Sequence, residues 1–255
     1  MYPYKIFGDF DLYTLLILVG AIACLVLVRL LADRIGISDG ITNLTLIAGI
    51  GGMALGYFAA VLFQAFYNYL ETGKFVIGSG ATFYGGLIGG ALGFLLIYFV
   101  GGRLFCRAEK PHTQFFAVAS LAACGIPLAH GFGRIGCLMA GCCYGRPTDA
   151  WYGIYMVALD ARVIPTQLIE AIFLFLLCAL LVWLTLKRAR GVLAIYMGAY
   201  GVFRFLLEFL RGDPRGEAPI SLFTPSQLTA ILMLFGAAAL YLVESYQAEK
   251  KKNNA

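Results

Sequence analysis

The sequence predicts an all-α integral membrane protein with about seven transmembrane helices, and three observations predict it. Of its 255 residues 61% are hydrophobic and 13% charged, with a mean hydropathy of +0.83, whereas soluble domains carry roughly 25% charged residues. Seven apolar windows come close to or exceed the ~20 residues needed to cross a hydrocarbon core: Leu12–Leu31, Thr42–Tyr67, Phe83–Val100, Phe115–Leu138, Leu168–Leu186, Leu193–Leu210 and Pro225–Val243. Finally, Arg29, Arg34, Arg103, Arg107, Lys110, Lys187, Arg188, Arg190 and Lys250 to Lys252 fall in alternate connections. Orientation follows this bias of short loops, so the expected topology has the N-terminus outside and the C-terminus cytoplasmic. The net charge of +5 is explained by topology, and no nucleic-acid partner is expected. Residues 1–255 read as a single transmembrane domain with one larger outer connection near 140–165.

The strip through Asp11 is short and aromatic, suited to the interface. Asp9 and Asp11 stand where a secretory signal would have basic residues, and the apolar run that follows is too long for one; Ala23-Cys24 only faintly matches a lipoprotein cleavage box. Tyr13, just inside the first span, is an interfacial anchor in the plainest reading. Gly49, Gly52 and Gly56 in span two and Gly85, Gly86, Gly89, Gly90 and Gly93 in span three have the small-residue spacing that lets membrane helices approach closely. Gly85 and Gly86 could also expose Tyr84 to a cavity.

Span four leads into His130–Thr148, HGFGRIGCLMAGCCYGRPT, the stretch around which the chain is organised. Arg134 has Gly133 and Gly136 beside it, as expected where backbone lies close to a bound group and a guanidinium points at it. Arg146-Pro147-Thr148-Asp149 reads as a turn. Span five opens on Pro165, followed by Gln167 and Glu170.

Span six places Tyr196, Tyr200, Arg204, Glu208 and Arg211 on one face of an otherwise apolar helix. Ionised groups within a span cost at least a few kcal/mol and so face a bundle interior or a wet cavity. Arg204 and Glu208 could neutralise one another and lock the bundle. Arg134 in another span, however, reads as a second, unpaired cation that needs an anion. Asp213-Pro214-Arg215-Gly216 is turn chemistry before span seven. The chain has no long-period repeat, which argues against a transporter built from repeated halves.

Arginine stays charged and forks onto phosphate oxygens, so Arg134, Arg204, Arg211 and Arg146 point to a phosphate-bearing lipid headgroup. Such a site could stabilise charge on a leaving phosphate, with Glu208 and Tyr84 as proton carriers. Of seven cysteines, Cys24, Cys106, Cys124 and Cys178 are scattered in or beside apolar runs as small hydrophobes. Cys137, Cys142 and Cys143 cluster, but their spacing matches no standard zinc motif, and neither metal nor cofactor is expected. They read as packing thiols; a disulfide and a covalent carrier thiol are the alternatives.

The motifs GxGRIGxxxxGxxYGRPT, PTQLIE and YGVFRFLLEFLRGDP, with FYGGLIGG in span three and TPSQL opening span seven, resemble the prolipoprotein diacylglyceryl transferase family in order along most of the chain. The resemblance implies a multi-pass protein of the bacterial cytoplasmic (inner) membrane. Its members move the diacylglyceryl group of phosphatidylglycerol to the thiol of a prolipoprotein lipobox cysteine, releasing glycerol phosphate. By matching position it implies Arg134 and Arg204 as catalytic with Glu208 and Arg211 as their companions, and Tyr13 as the span-one tyrosine; the full candidate site adds Tyr84 among the catalytic residues and counts Tyr13, Arg146, Gln167, Glu170, Arg211, Cys137 and Cys142 as substrate-binding. The departures are specific. Tyr84 stands where the family has histidine, Cys137 and Cys142 where it has asparagine and glutamate, Ile164 where a histidine commonly precedes Pro-x-Gln, and Tyr57 where an arginine is expected. Phosphate-binding groups are kept better than proton-moving ones. A relative using the same lipid with another acceptor, or a lipid-binding protein without chemistry, therefore stands beside the transferase reading.

Overall fold

A computed structural model of the chain describes residues 5–7, 10–78, 80–213 and 222–253. Among these are seven helices long and apolar enough to cross a membrane, each containing or nearly coinciding with an expected window. They are α1 (Leu12–Ile35), α2 (Asp39–Thr72), α3 (Phe83–Leu96) continued through a π turn (Ile97–Gly101) into α4 (Gly102–Phe105), α5 (Pro111–Ala140), α6 (Thr166–Leu186), α7 (Val192–Leu207) and α8 (Pro225–Asn253). Helix ends follow local chemistry. Ser38 caps α2 by accepting from the Ile41 amide, and Gly73 closes it at φ +72, a dihedral that glycine adopts without a Cβ clash. The expected turn at Asp213-Pro214-Arg215-Gly216 lies largely outside the described residues.

The chain divides into two compact units, one of residues 32–118 and one of 1–31 with 119–255. In the first, α2 and α3 meet through their glycines. A Cβ on Gly56 would stand 2.8 Å from the Gly86 carbonyl oxygen, and one on Gly52 3.0 Å from that of Gly90. The glycine spacing thus serves backbone approach, as lipid-embedded association requires. Tyr98, fully buried, donates to the Pro111 carbonyl at 2.9 Å and packs among Phe94, Phe99 and Phe115. Tyr57 is 73% exposed, and no polar partner stands in for the missing arginine.

In the second unit α1 packs on α5. A Cβ on Gly20 would stand 2.9 Å from Phe132 Cβ, and one on Gly125 2.6 Å from Cys24 Sγ. The scattered thiols are packing groups, as expected: Cys178 Sγ contacts the Cys124 carbonyl at 3.4 Å, and Cys124 Sγ meets Thr185 Oγ1 at 3.3 Å. The connection from α5 to α6 folds as a small cap on the end of α7. Strands β3 (Ile154–Met156) and β4 (Ala161–Val163) pair antiparallel; a short N-terminal pair precedes α1, β1 (Lys5–Phe7) with β2 (Phe10–Asp11).

The stretch read as a turn at Arg146–Asp149 is instead largely extended. Gly145 bridges Arg211 and Pro147 bridges Val163; the Thr148 amide donates to the Arg162 carbonyl at 2.9 Å and the Arg146 amide to that of Leu210 at 2.9 Å. The same proline rule explains the correction, because Pro147 drives Arg146 toward extended backbone and two flanking segments lie within reach to pair with it. Chain reversal falls later, where the Gly153 amide donates to Ala150.

Candidate active site

Helix α5 carries His130 and Arg134 four residues apart, so both side chains leave the same face. Arg134 Nε donates to His130 Nε2 at 3.2 Å and lies 2.9 Å from Glu170 Oε2. Glu170, from the first turns of α6, is completely buried. Its Oε1 accepts from the Tyr200 phenol at 2.8 Å and stands 3.9 Å from His130 Nε2. The His130 and Tyr200 rings meet edge to face with centroids 5.4 Å apart. Arg134 is therefore not the unpaired cation expected from sequence. A buried carboxylate neutralises it, as the cost of an isolated charge in a low-dielectric interior demands.

The polar stripe is present through Tyr196, Tyr200 and Arg204 on α7 and Glu208 in the 3-10 turn that follows, but the helix ends before Arg211, which lies in extended backbone; all five are buried. Arg204 Nη2 lies 2.9 Å from Glu208 Oε2 and donates to Ser226 Oγ at 2.8 Å. Thr224 Oγ1 donates to Glu208 Oε1 at 2.9 Å, so the start of α8 and the residue before it complete the cluster. Arg211 forks onto Asp213, Nε to Oδ1 at 2.8 Å and Nη2 to Oδ2 at 2.7 Å. Burial works against the Arg211 charge, but Asp213 and Cys143 more than offset it and raise its pKa. Two guanidinium nitrogens, Arg204 Nη1 and Arg211 Nη1, are buried without a hydrogen-bond partner. Glu170 lies within electrostatic range of both Arg134 and Arg204, which joins the two halves of the cluster.

Beyond the end of α5 the chain turns on Gly141 (φ +74) and Cys143 (φ +62). This gathers the sulfurs of Cys137, Cys142 and Cys143 within 4.8 Å of one another. Gln167 Nε2 donates to the Cys142 carbonyl at 2.5 Å and Thr166 Oγ1 to that of Cys143 at 3.0 Å. The Cys143 thiol is drawn below its ordinary pKa by hydrogen bonding with the Cys137 and Cys142 sulfurs, and the nearby charge of Arg211 acts in the same direction. Cys142 is pushed up, because it is the donor toward Cys137 and Cys143.

The remaining expected site residues divide by position. Tyr13 packs on Gly136, where a Cβ would stand 2.9 Å from Tyr13 Cδ2, and its phenol is within electrostatic range of Arg134 and the three thiols. Gln167 is fully buried, spends its amide on the cysteine turn and leaves Oε1 unpartnered. Arg146 is exposed and its Nε donates to the Arg211 backbone carbonyl at 3.4 Å. The side chain of Tyr84 lies outside the described residues. His130, Tyr200, Thr224, Ser226 and Asp213 join the site without having been singled out as ligands. His130 sits four residues before Arg134, which is the signal that could have found it.

Fold and site together define a multi-span membrane protein whose apolar helices enclose three arginine–carboxylate pairs. The chain belongs to the prolipoprotein diacylglyceryl transferase family, whose sequence profile matches residues 4–243. It is 30% identical to the phosphatidylglycerol–prolipoprotein diacylglyceryl transferase of Clostridium tetani over 98% of this chain and 97% of that one. It is 38% identical to the second such transferase of Clostridium perfringens over 68% of this chain and 66% of that one. The Clostridioides difficile transferase is 28% identical over 98% and 96%.

Proposed function

We propose that this chain transfers the diacylglyceryl group of phosphatidylglycerol to the cysteine thiol of a prolipoprotein signal peptide, in the bacterial cytoplasmic membrane with its N-terminus outside. The observation that carries this reading is the pair of buried, unpartnered guanidinium nitrogens, Arg204 Nη1 and Arg211 Nη1. Each arginine is fixed by its own carboxylate, so the free N–H groups are preorganised for phosphate oxygens.

The donor phosphodiester carries one negative charge. When the acceptor sulfur forms its bond to the glyceryl carbon and the carbon–oxygen bond breaks, the leaving glycerol phosphate gains a second. Donors already aimed at that oxygen favour the transition state over the bound lipid. Arg134 and Arg204 hold the phosphate, with Arg211 and Arg146 assisting. Glu208 orients Arg204, and Glu170 orients Arg134 rather than contacting the substrate. Tyr13 and Tyr84 hydrogen-bond the donor, and Gln167 with Cys137 and Cys142 shapes the outer wall. No nucleic acid takes part.

Expression in cells depleted of their own transferase tests this. Restored lipoprotein maturation is expected, and none despite good expression would overturn it. The second reading, the same lipid with another acceptor, is favoured by Cys137, Cys142 and Ile164, which replace the family's polar residues beside the arginines. Lipid products found after overexpression would separate the two.

A further inference from the structure

Sequence spacing argued against a metal site at Cys137, Cys142 and Cys143, yet the fold supplies what spacing lacks. All three sulfurs lie within 4.8 Å of one another, and around a tetrahedral ion about 2.3 Å from each they would stand about 3.8 Å apart. Two adjacent residues ordinarily direct their side chains apart. Here Cys143 takes the left-handed region at φ +62, a conformation that costs a non-glycine residue about 1–3 kcal/mol, and Cys142 and Cys143 converge on Cys137. The turn is pinned from behind by Gln167 and Thr166 on the Cys142 and Cys143 carbonyls and by the Cys142 amide on the Cys137 carbonyl at 3.1 Å. Such outer contacts hold metal ligands in place. Arg211 lies within electrostatic range of Cys143 and offsets part of the charge of three thiolates. Cys142 is exposed, which gives an ion a way in.

We propose that Cys137, Cys142 and Cys143 form a trithiolate site for one soft divalent ion of the zinc class, with its fourth position open to an incoming thiol. Three sulfur ligands select such ions over hard ones, and three protein ligands with a vacant fourth position are the arrangement of reactive zinc sites. The role of the open position rests on the transfer reading above. A thiol bound there gives up its proton to solvent and becomes thiolate. Its sulfur then forms the bond to the glyceryl carbon as the carbon–oxygen bond breaks, and glycerol phosphate leaves with the electron pair. This supplies the deprotonation for which the family's histidine and glutamate have no counterpart at positions 84 and 142, and it places Cys137 one turn beyond Arg134 for that purpose.

The test uses the full chain, purified in detergent, reduced and stripped with a chelator, then titrated with cobalt(II) and zinc(II). The expected result is one equivalent of cobalt with an intense sulfur-to-cobalt charge-transfer band, displaced by zinc, with affinity falling more than about 100-fold in Cys142→Ser and in Cys143→Ser. The single variants are read beside their thermal unfolding, so that loss of the ion is not confused with loss of the fold. Absence of the band, binding unaltered by both substitutions, or a disulfide among the three cysteines with no metal in freshly isolated protein would overturn the site. For the acceptor role, stripped protein should lose transfer to a lipobox peptide and regain it with zinc while binding phosphatidylglycerol throughout. Full transfer by stripped protein overturns that role. Cobalt binding without any transfer would overturn the role and the transferase reading but not the site.

Discussion

Replacing Glu170 by Gln removes the counter-charge of Arg134 while keeping the shape of the side chain. Glu170 is fully buried and the Arg134 side chain is 15% exposed, so the arginine cannot recover its solvation by moving slightly. Breaking a buried pair by neutralising one partner costs about 3–5 kcal/mol, a change of roughly two to three and a half orders of magnitude in the folding equilibrium. The Tyr200 phenol can still donate to the glutamine oxygen, so the loss isolates the charge. Unfolding of the detergent-solubilised protein measures it, and Arg134→Gln combined with Glu170→Gln should be more stable than Glu170→Gln alone, because the double variant strands no charge. Transfer by Glu170→Gln should fall about 100-fold, the scale expected when a catalytic group is displaced by about an ångström. If Glu170→Gln unfolds within about 1 kcal/mol of the parent and transfers at the parent rate, then Arg134 is not held by this carboxylate and the account of the site fails.

Arg204→Lys keeps the charge but loses the Nη1 donor, and kcat should drop by about 100-fold with little change in unfolding. Steady-state transfer kinetics beside a melting curve separate the two effects. Tyr200→Phe removes a buried hydrogen bond to a carboxylate and should destabilise by about 1.5–3 kcal/mol, measured by the same unfolding assay. Gly145→Ala would place a Cβ 2.5 Å from the Ile164 carbonyl oxygen and 2.9 Å from that of Leu210. Neither is a flexible side-chain end, so a loss of about 1–3 kcal/mol and a poor yield of folded protein on gel filtration are expected.

The seven spans were legible because length and composition alone satisfy the bilayer. The stripe from Tyr196 to Glu208 was legible because residues three and four apart share a helix face, whereas Arg211, expected on the same face, is buried in extended backbone beyond the helix end. The Arg204–Glu208 pair follows the same rule. The Arg134–Glu170 pair does not, since its partners lie 36 residues apart on α5 and α6 and meet only through packing that no local period encodes. The cysteine cluster was legible as a cluster, but the convergence of its three sulfurs was not, for a related reason. Its convergence depends on Cys143 entering a backbone region that only a few per cent of non-glycine residues occupy. The misread turn at Arg146–Asp149 shows the converse, a correct local rule for proline whose outcome was decided by segments available to pair with it.

Pairing Arg134, Arg204 and Arg211 each with a carboxylate changes what the site can select. Arg134 with Glu170, Arg204 with Glu208 and Arg211 with Asp213 sum to no net charge, so these three pairs do not attract a lipid by an excess of positive field. Recognition falls to the fork geometry of the free N–H groups, and these fit any phosphodiester, whether its headgroup is neutral, as in phosphatidylglycerol, or cationic. Under the proposed function the arginine cluster would read the phosphate and hold it through the charge increase of the leaving step, and discrimination between headgroups would have to come from side chains beyond the phosphate. A neutral cluster also suits this solvent. Three uncompensated guanidinium groups inside a bilayer would each cost at least a few kcal/mol whenever no lipid was bound, whereas paired ones stay folded between turnovers and need only a small rearrangement to accept the second negative charge.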